Sequence, residues 1–501
     1  MSRSARIARA VTIGYGYQAV VALTGLVLTP VLLGELGTID YGRWLSVGQV
    51  LALLGLLDLG VTAVLPREVA AAAGSAGRDL AAVVNRAAWL VWLQMPLVTV
   101  VATGVWAGVT AARPELAGPL AVILGGFVVQ FPLRVPGAVL TGLQDLTFGG
   151  VVQAGTWAVA TAVSVSLVLA GCGLYGLAVG WAAGQLAGCA ACWARLRTRF
   201  PSVGGPGGWP GRAALAGGLA PSGWTSVRQV ALLLLNGVDL IVLGWVAGPT
   251  VVVVYACTVK LVAVVNNQPY LIGTTALPAL AELQAGEDRV RVWRACRAAG
   301  LGMMLLSGGL TIAVLAVSAA FVPRWVGPEQ FGGPALVLLA VLAMVARHFV
   351  YALNQAVFAL GYDRRLAVAA LADGVVTVAA MVAWVTAFGA IGVPLGSLTG
   401  LVLTSGASAV VTLATAQGVS AAGAVRWAVP WLIRFVAVAG PVAAVSFTPA
   451  AAEPAVAGGL LVGGLTAYAA VVLSLFAHEP LAGYRAAAIS SIRRWIRGPV
   501  H

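Results

Sequence analysis

Charged side chains stand inside several long apolar stretches of this 501-residue sequence, where a ligand, a partner or water must compensate them. A lysine or arginine at the centre of a membrane-spanning helix costs ~2.5–3.5 kcal/mol on insertion scales. Arginine binds phosphate bidentately through its planar guanidinium group, and lysine acts as a point charge. Lys260 and Arg347 lie near the centres of their stretches, and Arg134 lies between Pro132 and Pro136, which favour a bent helix. These three cations are predicted to bind an anionic ligand.

Other embedded charges extend the prediction to a charged interior. Arg228 is predicted as a further ligand residue, although its place near the end of its stretch also fits a side chain that reaches the interface. The acidic candidates for coupling to a proton or cation are Asp58, Asp239 and Asp373. Two alternatives stay open: Asp58 only caps a bent helix, and Asp239 neutralises Lys260 in an ion pair.

The remaining residues argue against an enzyme and against a metal site. Cys189 and Cys192 have CxxC spacing, but they lie in an apolar stretch without a second pair, which favours simple packing. The sequence has no Walker A loop, paired-histidine metal motif or Ser/His/Asp constellation, so no catalytic residue, metal or cofactor is predicted. The net charge of +13 is scattered over short loops, which argues against binding of nucleic acid.

The stretches that carry these charges have the length and composition of membrane-spanning helices. Hydrophobic residues make up 60% of the sequence and charged residues 9%, against about 25% charged residues in soluble domains. With ~20 residues needed per span, the sequence predicts an all-α polytopic membrane protein with about 14 transmembrane helices. They fall approximately at residues 9–34, 41–65, 87–110, 116–140, 148–170, 174–194, 215–246, 251–277, 296–321, 331–360, 366–388, 391–416, 428–447 and 455–476.

Arginine is distributed unevenly between alternate loops, and this asymmetry supports the predicted spans. Cytoplasmic loops of membrane proteins carry an excess of lysine and arginine. With the N-terminus inside, the outer loops hold only Arg43, Arg113 and Arg324, and the other loop arginines fall on the inner side. The sequence therefore predicts a multi-pass protein of the cell (plasma) membrane with both termini in the cytoplasm.

The spans group into two similar parts. Residues 1–194 are predicted to form an N-terminal lobe of six helices, and residues 215–416 a C-terminal lobe of six. A cytoplasmic linker rich in glycine and proline, 195–214, joins the lobes. Two extra transmembrane helices are predicted at 417–476, and an amphipathic basic tail on the inner leaflet at 477–501.

Short motifs recur in the same order on the two sides of the linker. The turn GCGLYGLAVGWAAGQ from Gly171 matches GAIGVPLGSLTGLV from Gly389, and VLTGLQD, which ends at Asp145, matches VFALGYD, which ends at Asp363. Because each repeat has an even number of spans, both copies enter the membrane from the same side. The repeats predict two lobes related by an axis along the membrane normal, with a cavity between them.

Several motifs also resemble those of a known family. They are the segment LLGELGTIDYGRWLSVGQVLALLGLLDLGVTAVLPREVA with Gly42, Asp58, Gly60 and Pro66, the segment GVDLIVLGWVAG, LPALAEL from Leu277, and both glycine turns. Over nearly the whole chain they resemble the Wzx-type polysaccharide flippases of the multidrug/oligosaccharidyl-lipid/polysaccharide exporter superfamily. The resemblance implies two six-helix bundles in a V, which give alternating access to a central cavity.

This resemblance also implies a cargo and partners. The implied cargo is an undecaprenyl-pyrophosphate-linked oligosaccharide, moved to the outer leaflet for surface polysaccharide biosynthesis. Membrane lipid, a polysaccharide polymerase and glycosyltransferases are the candidate partners, and Arg134, Lys260 and Arg347 would face the pyrophosphate. Three alternatives stay open: a lipid II flippase for peptidoglycan, a cation-coupled multidrug antiporter, and a non-transporting membrane scaffold. The excess of basic residues in the spans counts against an antiporter of cationic drugs.

Overall fold

Helices form the regular structure in the part of the chain that this computed structural model describes, residues 3–74, 80–201, 203, 207–273 and 289–477. Within it, nine helices are long and apolar enough to cross a membrane, or up to 12 if each of three bent pairs is one span. The predicted all-α polytopic membrane protein is therefore confirmed. The motif LPALAEL and nearly all of the predicted basic tail lie outside the described residues.

Two of these helical segments each overlap two of the predicted spans. Val20–Asp58 has 39 residues and Asp363–Gln417 has 55, whereas ~20 residues cross the hydrocarbon core. Gly37, with φ 75° and ψ 168°, breaks the first segment, and Gly389, with φ 59°, lies between two helices of the second. Counting each segment as two spans leads to about 14 spans, and that number stays a prediction.

Contacts between residues divide the chain into two compact units, Met1–Leu233 and Leu234–His501. The division falls beyond the linker predicted at 195–214, so the predicted lobe boundaries stay a prediction. The helices that begin in the first unit are α1 (Arg3–Leu54), α2 (Val61–Ala73), α3 (Leu80–Ala112), α4 (Ala117–Gln130), α5 (Val135–Gly142), α6 (Leu146–Leu169), α7 (Gly173–Arg199) and α8 (Arg212–Asn236).

Eleven further helices lie wholly within the described residues of the second unit, and residues 268–273 are helical as well. The eleven helices are α9 (Asp239–Val246), α10 (Pro249–Thr258), α11 (Lys260–Asn266), α12 (Arg289–Val326), α13 (Gly333–Ala359), α14 (Asp363–Phe388), α15 (Gly392–Leu401), α16 (Ala407–Gln417), α17 (Ala421–Val425), α18 (Val429–Ser446) and α19 (Pro454–Leu473). The most buried of these are α12 and α13, which share one apolar core with α18 and α19. A helix that is apolar on all sides fits such a position inside a bundle.

Glycine allows two helices of the first unit to pack at very short distance. A Cβ atom added at Gly176 of α7 would lie 2.9 Å from the backbone nitrogen of Val168 in α6, and one at Gly184 would lie 2.5 Å from the carbonyl oxygen of Thr156. The partner's number falls as the glycine's number rises, so the two helices are antiparallel. Small residues at such interfaces let helix backbones approach closely in a membrane. The turn after Gly171 is therefore the corner of a tight helical hairpin.

The turn after Gly389 makes a matching hairpin in the second unit. A Cβ atom added at Gly396 of α15 would lie 2.5 Å from Cα of Met381 in α14, and one at Gly400 would lie 2.8 Å from the nitrogen of Thr377. These pairs are again antiparallel. The recurrence of the two glycine turns in the sequence thus corresponds to a recurrence of structure.

The turns that precede the two hairpins also correspond, with a register that differs from the sequence match. The amide groups of Gln144 and Asp145 donate to carbonyls three and five residues earlier, and those of Gly361 and Tyr362 do the same. Asp145 and Tyr362 also have similar backbone angles at the start of the following helix. Tyr362, rather than Asp363, therefore takes the place of Asp145, because the two turns correspond in their hydrogen bonds and not in the type of their last residue.

We expect Gly396→Ala to destabilise the protein, because the added methyl group would overlap with the backbone of α14 and force the helices apart. Overpacking of this kind costs about 1–3 kcal/mol. Gly463→Ala in α19 is the matched control, since a Cβ atom there meets nothing within 4 Å and alanine favours the helix. Unfolding in SDS titrations of the purified protein gives both free energies, and an unchanged value for Gly396→Ala would contradict the close packing.

Candidate functional site

Three predicted spans are bent, and an ionisable residue lies at each bend. Broken helices leave backbone groups without helical partners, and in a membrane such groups are tolerated inside the protein or along a hydrated cavity. The bends are 50°, 50° and 54°. Arg134 lies just after the break between Pro114–Gln130 and Pro132–Gly142. Asp239 begins the second helix of the pair Gln229–Leu235 and Asp239–Val246, and Lys260 begins the second helix of the pair Pro249–Thr258 and Lys260–Gly273.

Arg134 is a cation without a carboxylate partner among the described residues. It ends the short 3-10 helix Pro132–Arg134, as the flanking prolines predicted. Its guanidinium carbon lies 5.9 Å and 5.2 Å from the ring centroids of Phe127 and Phe131, and such contacts contribute ~0.5–2 kcal/mol. Its Nη1 atom is buried and has no hydrogen-bond partner in the described part of the chain. The aromatic rings hold the group in place without neutralising its charge.

Asp58 ends the short 3-10 helix Gly55–Asp58, which lies between α1 and α2. Only 3% of the residue is exposed, and its Oδ1 atom accepts a hydrogen bond from the Gly60 nitrogen at 2.7 Å, while Oδ2 accepts one from the Thr62 hydroxyl. The Nε2 atom of Gln94 donates to the backbone carbonyl of Asp58 at 3.1 Å. Leu59 and Gly60, which follow, both have left-handed backbone angles. These contacts engage Gly60, which precedes α2, and Thr62 in the first turn of α2, as expected for a structural role of Asp58.

Lys260 begins α11 directly after the 54° bend. Its ammonium group forms no hydrogen bond or ion pair with the residues that the structure describes. The thiol group of Cys257 is the ionisable side chain close enough to interact with it electrostatically. Asp239 is instead hydrogen-bonded to the hydroxyl group of Tyr255. The proposed ion pair between Asp239 and Lys260 is therefore not formed in this structure. The charge of Lys260 is left available to a ligand.

Arg347 contacts polar groups of the neighbouring hairpin. Its Nε atom donates to the Ser397 hydroxyl at 2.9 Å, and its Nη1 atom lies 3.5 Å from a carboxylate oxygen of Asp373. A further long contact joins its Nη2 atom to the hydroxyl group of Thr377 at 3.5 Å, and that hydroxyl donates to Asp373 at 3.0 Å. The side chain of Asp373 is 2% exposed. Two predicted site residues, one for ligand binding and one for ion coupling, thus form an internal ion pair.

His348, the next residue, lies in a separate polar network. It is fully buried, its Nδ1 atom lies 2.8 Å from the Ser307 hydroxyl, and its Nε2 atom lies 2.9 Å from the carbonyl oxygen of Asn266. A carbonyl only accepts, so Nε2 carries the proton. Asn266 ends α11, and its carbonyl is one of those that a helix end leaves unpaired. The side chain of Tyr270 packs edge-on against the imidazole at 4.7 Å.

The predicted site residues therefore differ in their surroundings. The side chain of Arg228 lies outside the described part of the structure. Sequence reasoning missed the contributions of Ser307, Ser397 and Thr377. Only Thr377 had a signal, because residues four apart share a helix face, and Thr377 stands four after Asp373. In the described residues, no group of three or more His, Cys, Asp or Glu side chains is arranged to hold a metal ion.

Comparison with known proteins connects this geometry to a family. A family model described as "polysaccharide biosynthesis protein" matches residues 7–284, more than half of the chain. None of the curated proteins matches the sequence.

Solved structures with the same fold include the lipid II flippase MurJ in an inward closed conformation, with a TM-score of 0.59 and 10% identity, covering 93% of this chain and 98% of that one. An inward-facing multidrug resistance MATE family transporter of the MOP superfamily has a TM-score of 0.51 and 18% identity, covering 82% and 94%. The Vibrio cholerae MATE transporter VcmN in its bent form has a TM-score of 0.50 and 15% identity, covering 85% and 99%. At these identities the likeness concerns the fold.

Proposed function

This chain belongs to the polysaccharide biosynthesis protein family, and on that premise we propose that it is a flippase for undecaprenyl-pyrophosphate-linked oligosaccharide. The resemblance to Wzx-type proteins is confirmed at the level of the family, and the proteins that share its fold are a flippase and transporters rather than enzymes. The proposed direction is from the inner to the outer leaflet of the plasma membrane, with both termini in the cytoplasm.

The observation that carries this proposal is the pair of uncompensated cations at helix bends, Arg134 and Lys260. Neither has an ion-pair partner among the described residues, and a charge in a span is retained where it meets a partner or ligand. A pyrophosphate group carries the opposite charge, and arginine and lysine both bind phosphate oxygens. In transporters, discontinuous helices of this kind line substrate sites. Each of these two residues is proposed to bind the pyrophosphate in the course of translocation.

The embedded acids support an anionic cargo over a cationic one. Asp58 accepts hydrogen bonds from Gly60 and Thr62. Asp239 is hydrogen-bonded to the hydroxyl group of Tyr255. Asp373 forms an ion pair with Arg347 and accepts a hydrogen bond from Thr377. A multidrug antiporter needs a carboxylate that an organic cation can approach, and these three carboxylates are already engaged. Lipid II remains as an alternative cargo because it shares the pyrophosphate. Asp239, which begins α9 directly after a bend, is the proposed residue for coupling to a proton or inorganic cation.

Loss of either cation is expected to slow translocation with little effect on folding. One lost charge-assisted contact of ~1.5–3 kcal/mol corresponds to a rate lower by roughly tenfold to a hundredfold. The measurement uses the purified protein in vesicles that contain the lipid-linked oligosaccharide in one leaflet. A membrane-impermeant reagent for the glycan reports its arrival on the other side. Arg134→Ala and Lys260→Ala are compared with the unaltered protein.

Arg434→Ala is the matched control, because this arginine also lies in a spanning helix but donates to Ser474 and to the carbonyl of Pro430. Its rate should stay near that of the unaltered protein. Equal rates for all three variants would reject the cationic site, and transport of lipid II alone would assign the alternative cargo. If the protein folds normally but moves neither the lipid-linked oligosaccharide nor lipid II, the scaffold alternative would apply.

A further inference from the structure

An apolar groove with two arginines at one end lies on the surface of the hairpin formed by α14 and the helices after it. The groove has a volume of about 510 Å³. Its apolar lining includes Val368, Ala372 and Leu403, and Arg364 and Arg365 lie at the start of α14. The side chains of Val368 and Leu403 are more than half exposed. This surface belongs to none of the contacts assigned to the oligosaccharide.

A π-helix forms one wall of the groove. Residues Val402–Gly406 take this form between α15 and α16, directly after the last glycine of the close-packed hairpin. The wider turn carries Leu403 and Thr404 into the lining of the groove. Single π-helical turns within α-helices are rare and occur frequently at functional sites. The groove therefore lies where the regular packing of the two helices ends.

The matching hairpin of the first unit has a different arrangement at the same end. There, Arg195 donates to a carboxylate oxygen of Asp145 at 2.9 Å, and its guanidinium carbon lies 4.8 Å from the Phe148 ring centroid. In the second unit, Tyr362 stands in the place of Asp145 and contacts Arg365 through its ring at 5.5 Å. Arg364 and Arg365 form no ion pair with any residue that the structure describes, and the exposed Asp363 is the acidic side chain next to them along the chain.

We propose that this groove binds an anionic phospholipid of the surrounding membrane. The headgroup phosphate would accept hydrogen bonds from Arg364 and Arg365, and one acyl chain would lie along Val368, Ala372 and Leu403. Charge complementarity selects the headgroup, because basic residues near a membrane surface attract anionic lipids. The apolar lining selects a lipid over a soluble anion, because its burial is favourable only against another apolar group. The proposal stands apart from the cargo and from transport.

The probe is dioleoyl-phosphatidylglycerol, added to the full-length protein in detergent and followed by native mass spectrometry. We expect one tightly retained molecule, bound at least about tenfold more tightly than dioleoyl-phosphatidylethanolamine. Arg364→Ala/Arg365→Ala should remove this preference. Ala372→Trp should weaken retention with both arginines in place, because the indole fills the groove. Val368→Ser is the second variant for the apolar lining if the tryptophan prevents folding.

Arg426→Ala is the control, since Arg426 is exposed in the same unit and does not line the groove. It should retain the phospholipid as well as the unaltered protein. Equal retention of the two phospholipids, or equal loss in the control and the double variant, would overturn the proposal. Glycerol phosphate that competes equally well, with no effect of the groove variants, would instead indicate a site for a soluble anion and would also overturn it.

Discussion

Arg347→Ala is expected to lower the free energy of unfolding by about 3–5 kcal/mol, because it leaves a buried carboxylate without its cation. The side chain of Asp373 is 2% exposed and that of Arg347 is 16% exposed. Among the described residues, the Asp373 carboxylate would keep only the hydroxyl group of Thr377 as a donor, and the Ser397 hydroxyl would lose the guanidinium group as a partner. At 3.5 Å the ion pair is long, so the loss arises mainly from the stranded charge.

A double-mutant cycle separates the charge from the packing. Asp373→Asn removes the charge but keeps the size of the side chain, so Arg347→Ala/Asp373→Asn should recover much of the stability that the single arginine variant loses. Coupling between residues in contact is typically 0.5–3 kcal/mol. SDS titration measures the free energy of unfolding of the unaltered protein, the two single variants and the double variant. Arg434→Ala removes an arginine that donates to Ser474 and to the Pro430 carbonyl, and it should change stability by less than about 1 kcal/mol. Additive effects of the two substitutions would contradict a functional ion pair.

The ion pair between Arg347 and Asp373 distinguishes Arg347 from the other two cations predicted to bind a ligand. Depth in a span predicts that Arg134, Lys260 and Arg347 each need a partner or a ligand. The structure supplies a carboxylate partner to Arg347 only, and the described residues supply none to the other two. We therefore expect the loss of Arg347 to affect folding first, and the loss of Arg134 or Lys260 to affect translocation first. Variants of all three, compared for stability and rate, test this division.

Local signals in the sequence predicted the spans, the two glycine turns and the bend at Arg134. Pro132 follows an apolar run and sits at the break, because proline removes a hydrogen bond and clashes with the preceding turn. The turn at Asp58 was also open to prediction, since aspartate often accepts a hydrogen bond from the backbone two residues later, as Asp58 does from Gly60. In each case the cause lies within a few residues of the feature.

The bend before Lys260 has no proline or glycine signal, and one hydrogen bond beside it joins residues far apart in the chain. The residues around Val259 include neither proline nor glycine. Thr258, which is fully buried, accepts a hydrogen bond from the Gly332 nitrogen at 2.7 Å and donates to the Val254 carbonyl at 2.7 Å. The hydrogen bond between Gly332 and Thr258, which are 74 positions apart, connects the end of α10 to the turn after α12. The pairing of Arg347 with Asp373 is hidden in the sequence because these residues also lie far apart in the chain.

His348→Phe is expected to cost about 2–5 kcal/mol of stability, even though it preserves a ring of similar size. The phenylalanine ring leaves the Asn266 carbonyl and the Ser307 hydroxyl without partners, and each unpaired buried group costs ~1–3 kcal/mol. Adding Ser307→Ala to this variant should recover part of the loss, whereas the same substitution alone should destabilise by stranding Nδ1. Ser318→Ala is the control on the same helix, because Ser318 is buried but bonds only the Val314 carbonyl of its own helix. Unfolding in SDS measures all four variants. If Ser307→Ala has the same cost in the unaltered protein and in the His348→Phe variant, the imidazole contributes packing alone. The hydrogen bonds at 2.8 Å and 2.9 Å would then not stabilise the contact of α13 with α12 and α11.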